Sequence, residues 1–103
     1  MITVKIHGNN DQIDIEGHAM YDDLGKDIVC AGVSSIVTTS INAILSFNEN
    51  YLSYRQDKSA YDKFIIEIKE HNEIVDKLIN NMIEMLKDVE EDYPKNIKIR
   101  KEN

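Results

Sequence analysis

The only cysteine of the chain and one of its three histidines lie in one short segment that could carry thiol chemistry. The segment reads GHAMYDDLGKDIVCAGVSS from Gly17 to Ser35, and His18 precedes Cys30 by twelve residues. A thiolate is a strong nucleophile, and a histidine within hydrogen-bonding distance can serve as its base. The segment therefore predicts a Cys–His pair if the fold returns the chain from His18 to Cys30.

Asp27 stands where an apolar helical pattern begins and is a good N-cap residue. If the helix starts there, Cys30 is its third residue, where unpaired N–H groups and the positive end of the helix dipole stabilise a thiolate. The same N–H groups could hold the oxyanion of an acyl-transfer intermediate. Ser34 follows Cys30 by one turn on the same helical face and could bond the thiolate or a substrate carbonyl.

Each of these residues also has a purely structural interpretation. A lone cysteine in an apolar helix can be a small buried hydrophobe, and a histidine beside a loop can be a surface residue. Asp27 can be a cap with no catalytic part, and Ser34 a small packing residue. A zinc site from His18, Asp27 and Cys30 is disfavoured, because zinc takes four ligands, or three plus water, and no CxxC or HxxxH spacing is present.

Hydrophobic periodicity predicts five strands and two helices in the order β-β-α-β-β-α-β. The first two strands centre on Ile2–Ile6 and Ile13–Ile15 and are separated by turn residues, which favours a hairpin. Helical spacing follows over residues 28–47, apolar on more than one face, and again after Asn72, which can act as an N-cap. This order predicts an α+β fold with two helices packed on an antiparallel or mixed sheet. The remaining strands are predicted at 51–56, 64–69 and 97–99.

Length and composition fit one globular domain, residues 1–103, with a single core. No apolar run approaches the ~18–20 residues that a membrane span needs. The start, MITVKIHGNN, lacks the apolar centre of a signal peptide. One cysteine cannot form an internal disulfide, which agrees with a reducing compartment. These features predict a cytoplasmic protein with no membrane partner.

The net charge of −7 argues against direct binding of nucleic acid, because phosphate recognition needs a basic surface. An acidic surface suits a basic partner, and it equally suits a protein that charge merely keeps soluble. The acidic run Asp88–Asp92 is interpreted as a solvated helix end.

Four motifs stand out: GHA from Gly17, DIVCAGVSSI from Asp27, SINAI at Ser40–Ile44 and the tail EEDYPKNIKI. Together they resemble the ribosomal-processing cysteine protease family of bacteria. The resemblance covers essentially the whole chain and implies His18 as the base, Cys30 as the nucleophile, and Asp27 and Ser34 as supporting positions. Gly17 and Gly25 are predicted to belong to the substrate loop. Its stretch Met20–Lys26, which varies in such proteins, is expected to order over a bound peptide.

The resemblance implies an endopeptidase that removes the N-terminal extension of large-subunit ribosomal protein twenty-seven. The family cuts after a pair of phenylalanines in an apolar segment, which exposes the mature, basic protein. It also implies a homodimer without a cofactor. The alternative is a non-catalytic ribosome-assembly or peptide-binding module of the same fold, and a remoter one is another thiol chemistry, such as acyl transfer.

Overall fold

The computed structural model describes residues 1–17, 24–57 and 63–102, and only the backbone of residues 24–27. Helices and strands follow one another in the predicted order, so the predicted α+β fold is confirmed. The elements are β1 (Ile2–His7), β2 (Gln12–Glu16), α1 (Leu24–Phe47), β3 (Leu52–Asp57), β4 (Lys63–Ile68), α2 (Glu73–Asp92) and β5 (Ile97–Glu102).

The strands form one mixed sheet in the order β3-β4-β2-β1-β5. β1 and β2 pair antiparallel, which confirms the predicted hairpin. Its turn uses left-handed backbone at Gly8 and Asn10, with φ of 62° and 60°, and glycine and asparagine tolerate that conformation best. β5 returns after α2 to pair parallel with β1. The sheet is thus mixed, one of the two alternatives that the sequence left open.

Both helices pack side by side on one face of the sheet and enclose a single core. The apolar side chains of β1 that alternate with polar ones all point into this core. Every third or fourth residue of each helix does the same, as expected for an amphipathic helix. In α1 these residues are Val29, Val33, Val37, Ile41 and Ile44, and in α2 they are Val75, Ile79, Met82, Ile83 and Leu86.

The segment Ile28–Phe47 of α1 is long and apolar enough to cross a membrane by length and composition, with a mean hydropathy of 1.8. The expectation that no apolar run reaches this length is therefore wrong. One stripe of the segment is nevertheless buried in the protein core. Only 28% of the segment is buried in the protein, so packing against the sheet and the second helix accounts for part of its apolar character.

Helix α1 begins at Leu24, one turn before the predicted start near Asp27. Asp27 is therefore the fourth helical residue, and the prediction that it is the N-cap is wrong. Gly25 lies inside the helix, so this part of the predicted loop is helical, whereas Met20 to Asp23 lie outside the described residues. Leu24 and Lys26 belong to residue types with high helix propensity, and each residue that extends an existing helix adds one backbone hydrogen bond. These gains offset the cost of about 1 kcal/mol for placing Gly25 in a helix.

The start of α2 is capped as predicted. The side chain of Asn72 accepts a hydrogen bond from the Val75 N–H at 2.9 Å. Next to it, His71 contacts the Asp76 carboxylate in the first turn of α2 and the Asp11 carboxylate in the hairpin turn. One imidazole therefore links the helix to the hairpin.

Candidate active site

A groove of about 270 Å³ lies between α1 and the helix-covered face of the sheet. Buried apolar side chains form its floor, and exposed polar side chains of α1 and β3 lie along its rim. No charged residue lines it within the described part of the chain. The lining residues are Ile2, Ile15, Gly17, Cys30, Val33, Ser34, Val37, Thr38, Gln56 and Phe64.

Cys30 lies in this groove, half-buried, with its side chain packed against the core. It is the seventh residue of α1, so the prediction that it occupies the first helical turn is wrong. Only the first four N–H groups of a helix lack a partner within it, and the effect of the dipole falls off within the first turn. The start of the helix is thus not what would activate this thiol.

Ser34 is exposed and lines the same groove one turn after Cys30. The i, i+4 spacing places both on one side of α1, as the sequence predicted. The structure therefore brings Cys30 and Ser34 together. Whether the Ser34 hydroxyl supports the thiolate or a substrate carbonyl stays a prediction.

Gly17 directly follows β2 and also lines the groove. Its φ of 91° lies in a region that L-residues rarely adopt, and a Cβ at this position would collide with the Met1 carbonyl oxygen. Only glycine lets the chain leave β2 this close to Met1. The next residue, His18, lies outside the described residues. The side chains of Leu24, Lys26 and Asp27 also lie outside them. The Cys30–His18 pair and the role of the Asp27 side chain remain predictions.

The other seven lining residues were not among the predicted site residues, and they include Thr38, Gln56 and Phe64. Thr38 continues the series Cys30, Ser34 at helical spacing, so periodicity could have indicated it. Gln56 and Phe64 are opposite each other on β3 and β4. Their strand register and their position under α1 arise only when the sheet has formed.

Comparison with known proteins identifies the family. The model of the family described as cysteine protease Prp matches residues 1–98. The ribosomal processing cysteine protease Prp of Staphylococcus aureus (strain Mu50) is 30% identical over 98 residues, covering 95% of this chain and 92% of that protein. The protein of the same name from Bacillus subtilis (strain 168) is 31% identical over 107 residues, covering 96% of each.

A solved structure agrees with the sequence comparison. The essential ribosomal processing protease Prp from S. aureus, crystallised with a covalently linked product peptide, superposes with a TM-score of 0.85 at 30% identity. The match covers 99% of this chain and 100% of that one. Family model, relatives and fold thus agree over nearly the full length, and the chain belongs to the cysteine protease Prp family.

Proposed function

We propose that the protein is a cysteine endopeptidase that removes the N-terminal extension of large-subunit ribosomal protein twenty-seven in the cytoplasm during ribosome maturation. Cys30 is the nucleophile, His18 the base, and Asp27 and Ser34 support them. The observation that carries the proposal is that Cys30, the single cysteine of a cysteine protease family member, lines an open groove beside the sheet.

The lining of the groove supports a peptide as substrate. Its floor is apolar and carries no charge among the residues described, which suits the uncharged apolar segment that the family cuts. A related protease has been crystallised with a product peptide linked covalently. Because Cys30 lies beyond the first helical turn, a neighbouring side chain is needed to activate its thiol, and His18, directly after the groove residue Gly17, is proposed for that role.

Cys30→Ala tests the nucleophile. We expect mass spectrometry of the extended ribosomal protein mixed with this variant to show no cleavage, whereas the wild type releases the extension. The melting temperature should change little, because the half-buried thiol is replaced by a side chain smaller by one sulfur atom. Cleavage by the variant would contradict the mechanism. Binding of the precursor without cleavage by the wild type would instead favour the non-catalytic module.

His18→Ala tests the base. Iodoacetamide should alkylate Cys30 more slowly in this variant across about pH 5 to 9, and cleavage should fall in parallel, because the imidazole both stabilises the thiolate and returns a proton. His71→Gln is the matched control, since His71 binds two carboxylates outside the groove. Equal alkylation of wild type and His18→Ala would show that the pair does not exist.

A further inference from the structure

We propose that Gln56 and Thr38 bind the main chain of the substrate peptide from opposite walls of the groove that contains Cys30. The inference rests on the proposed peptidase function and adds two binding residues to it. Thr38 is on α1, and Gln56 is near the end of β3. Both side chains are exposed and both line the groove.

The polar groups of these two side chains are available to a ligand. Among residues 1–17, 24–57 and 63–102, neither the Thr38 hydroxyl nor the Gln56 carboxamide makes a hydrogen bond to the protein. Two other hydroxyls of α1 behave differently: Ser40 donates to the Ile36 carbonyl at 2.7 Å and Ser46 to the Ala43 carbonyl at 2.6 Å. Thr38 and Gln56 can therefore bond a ligand without breaking a bond within the described structure.

The rest of the groove explains why a peptide needs these groups. Its floor consists of aliphatic side chains and Phe64, which cannot pair with the N–H and C=O groups of a peptide. A peptide loses several kcal/mol of binding free energy if its main-chain N–H and C=O groups leave water and find no new hydrogen-bond partners. The Gln56 carboxamide offers both a donor and an acceptor and so matches the C=O and N–H of one peptide residue. Thr38 supplies a hydroxyl from the opposite wall.

The spacing along α1 indicates which part of the peptide is bound. Thr38 follows Cys30 by eight residues, which corresponds to about 12 Å along a helix. An extended chain advances about 3.3 Å per residue. Thr38 therefore lies near a peptide residue roughly three to four positions from the carbonyl that Cys30 attacks.

Alternation along each element provides matched controls. Gln56 is opposite Phe64 and shares its face, whereas the side chain of the preceding residue, Arg55, points to the other face of the sheet. Thr39, next to Thr38, lines a different groove, between α1 and α2. The proposal is tested with Gln56→Met and Thr38→Val, and the controls are Arg55→Met and Thr39→Val.

The substrate is a synthetic peptide that spans the extension and the first mature residues of the ribosomal protein. We expect Gln56→Met and Thr38→Val each to lower kcat/KM about five- to tenfold, mainly by raising KM, which is the effect of one or two lost hydrogen bonds. Both controls should stay within about twofold of the wild type. Replacing single amides of the peptide by esters should find one position where the difference in kcat/KM between wild type and Gln56→Met becomes smaller, because an ester has no N–H to donate to the Gln56 carboxamide oxygen.

Affinity of a labelled peptide for the same variants in a Cys30→Ala background separates this proposal from the proposed function. If the wild type does not cleave the peptide but the two groove variants bind it more weakly, the proposed peptidase function is contradicted. The proposal that Gln56 and Thr38 bind the peptide is then still supported. Unchanged kcat/KM and unchanged affinity in both groove variants would overturn the proposal and leave the peptidase standing. A peptide that is neither cleaved nor bound would overturn both.

Discussion

Asp14 is a carboxylate buried on the sheet face opposite the helices, with only 3% of its side chain exposed. Burial alone would raise its pKa. Hydrogen bonds from Gln12 at 2.8 Å and His7 at 2.9 Å, together with the charge of Lys63, outweigh burial and hold the pKa below the ordinary 3.8. A charged group in this position is stable only because its neighbours on three strands compensate it.

Asp14→Ala should lower the free energy of unfolding by about 1–3 kcal/mol near neutral pH, because hydrogen bonds to a charged group are lost. A depressed carboxyl pKa stabilises the fold above the ordinary value of 3.8 and ceases to do so as the pH falls through the folded pKa. The free energies of unfolding of wild type and Asp14→Ala, measured with urea, should therefore become equal at acid pH. Asp88→Ala, at an exposed site on α2, is the control. If wild type and Asp14→Ala differ in free energy of unfolding by the same amount at neutral and at acid pH, the explanation is contradicted.

At the scale of the elements, His71 joins two parts of the fold that are far apart in sequence. Its Nδ1 lies 2.9 Å from Asp76 on α2, and its Nε2 lies 2.7 Å from Asp11 in the hairpin turn. Donation to two carboxylates requires both ring nitrogens to carry protons. The hydrogen bond to Asp76, and then that to Asp11, raise the pKa of His71 above the ordinary 6.5.

The stability from this contact should depend on pH with a defined sign. A raised histidine pKa stabilises the fold fully below the ordinary 6.5, and the contribution is lost as the pH rises through the folded pKa. Tm of the wild type should therefore fall between about pH 6 and 8 more steeply than that of His71→Gln, which cannot be protonated. In Asp76→Asn, NMR titration should show a lower His71 pKa. Parallel Tm curves for wild type and His71→Gln would contradict the prediction.

At the scale of the whole molecule, the helix layer exposes four large apolar side chains among the described residues, although 30% of the residues in the chain are charged. α1 has no charged residue from Ile28 to Phe47. Ile28, Phe47, Ile74 and Met85 are large apolar side chains on the helices that remain substantially exposed. Met85 also lines a groove of about 310 Å³ between α1 and α2. Such a surface suits association with another protein.

We predict a homodimer, as the family resemblance implied, with the helix layer in its interface. Light scattering at micromolar concentration should give twice the 11.9 kDa of the chain. Met85→Lys should shift the mass toward the monomer, because it places a charge in an apolar contact, whereas Glu84→Lys, at the adjacent exposed position, should shift it less. A monomeric wild type would contradict the prediction.

Features that depend on neighbouring residues could be predicted from the sequence alone. The order of strands and helices, the β1–β2 hairpin and the Asn72 cap follow from periodicity, turn residues and capping, which act over a few positions. The proximity of Cys30 and Ser34 follows in the same way from helical spacing. The start of α1 was missed although it is local, because a good cap at Asp27 and one more helical turn differ by only about 1 kcal/mol.

Contacts between residues that are distant in sequence became visible only in the folded structure. The parallel pairing of β5 with β1 joins the two ends of the chain, and no local pattern specifies it. The alternation of apolar and polar residues along β2 places Asp14 on the sheet face opposite the helices. Its burial there, however, depends on side chains from three strands. Gln56 and Phe64 face Cys30 across the groove only because β3 and β4 pair beside β2 beneath α1. Strand pairing and helix packing are set by the total burial of apolar surface, which is a property of the whole chain and not of any segment.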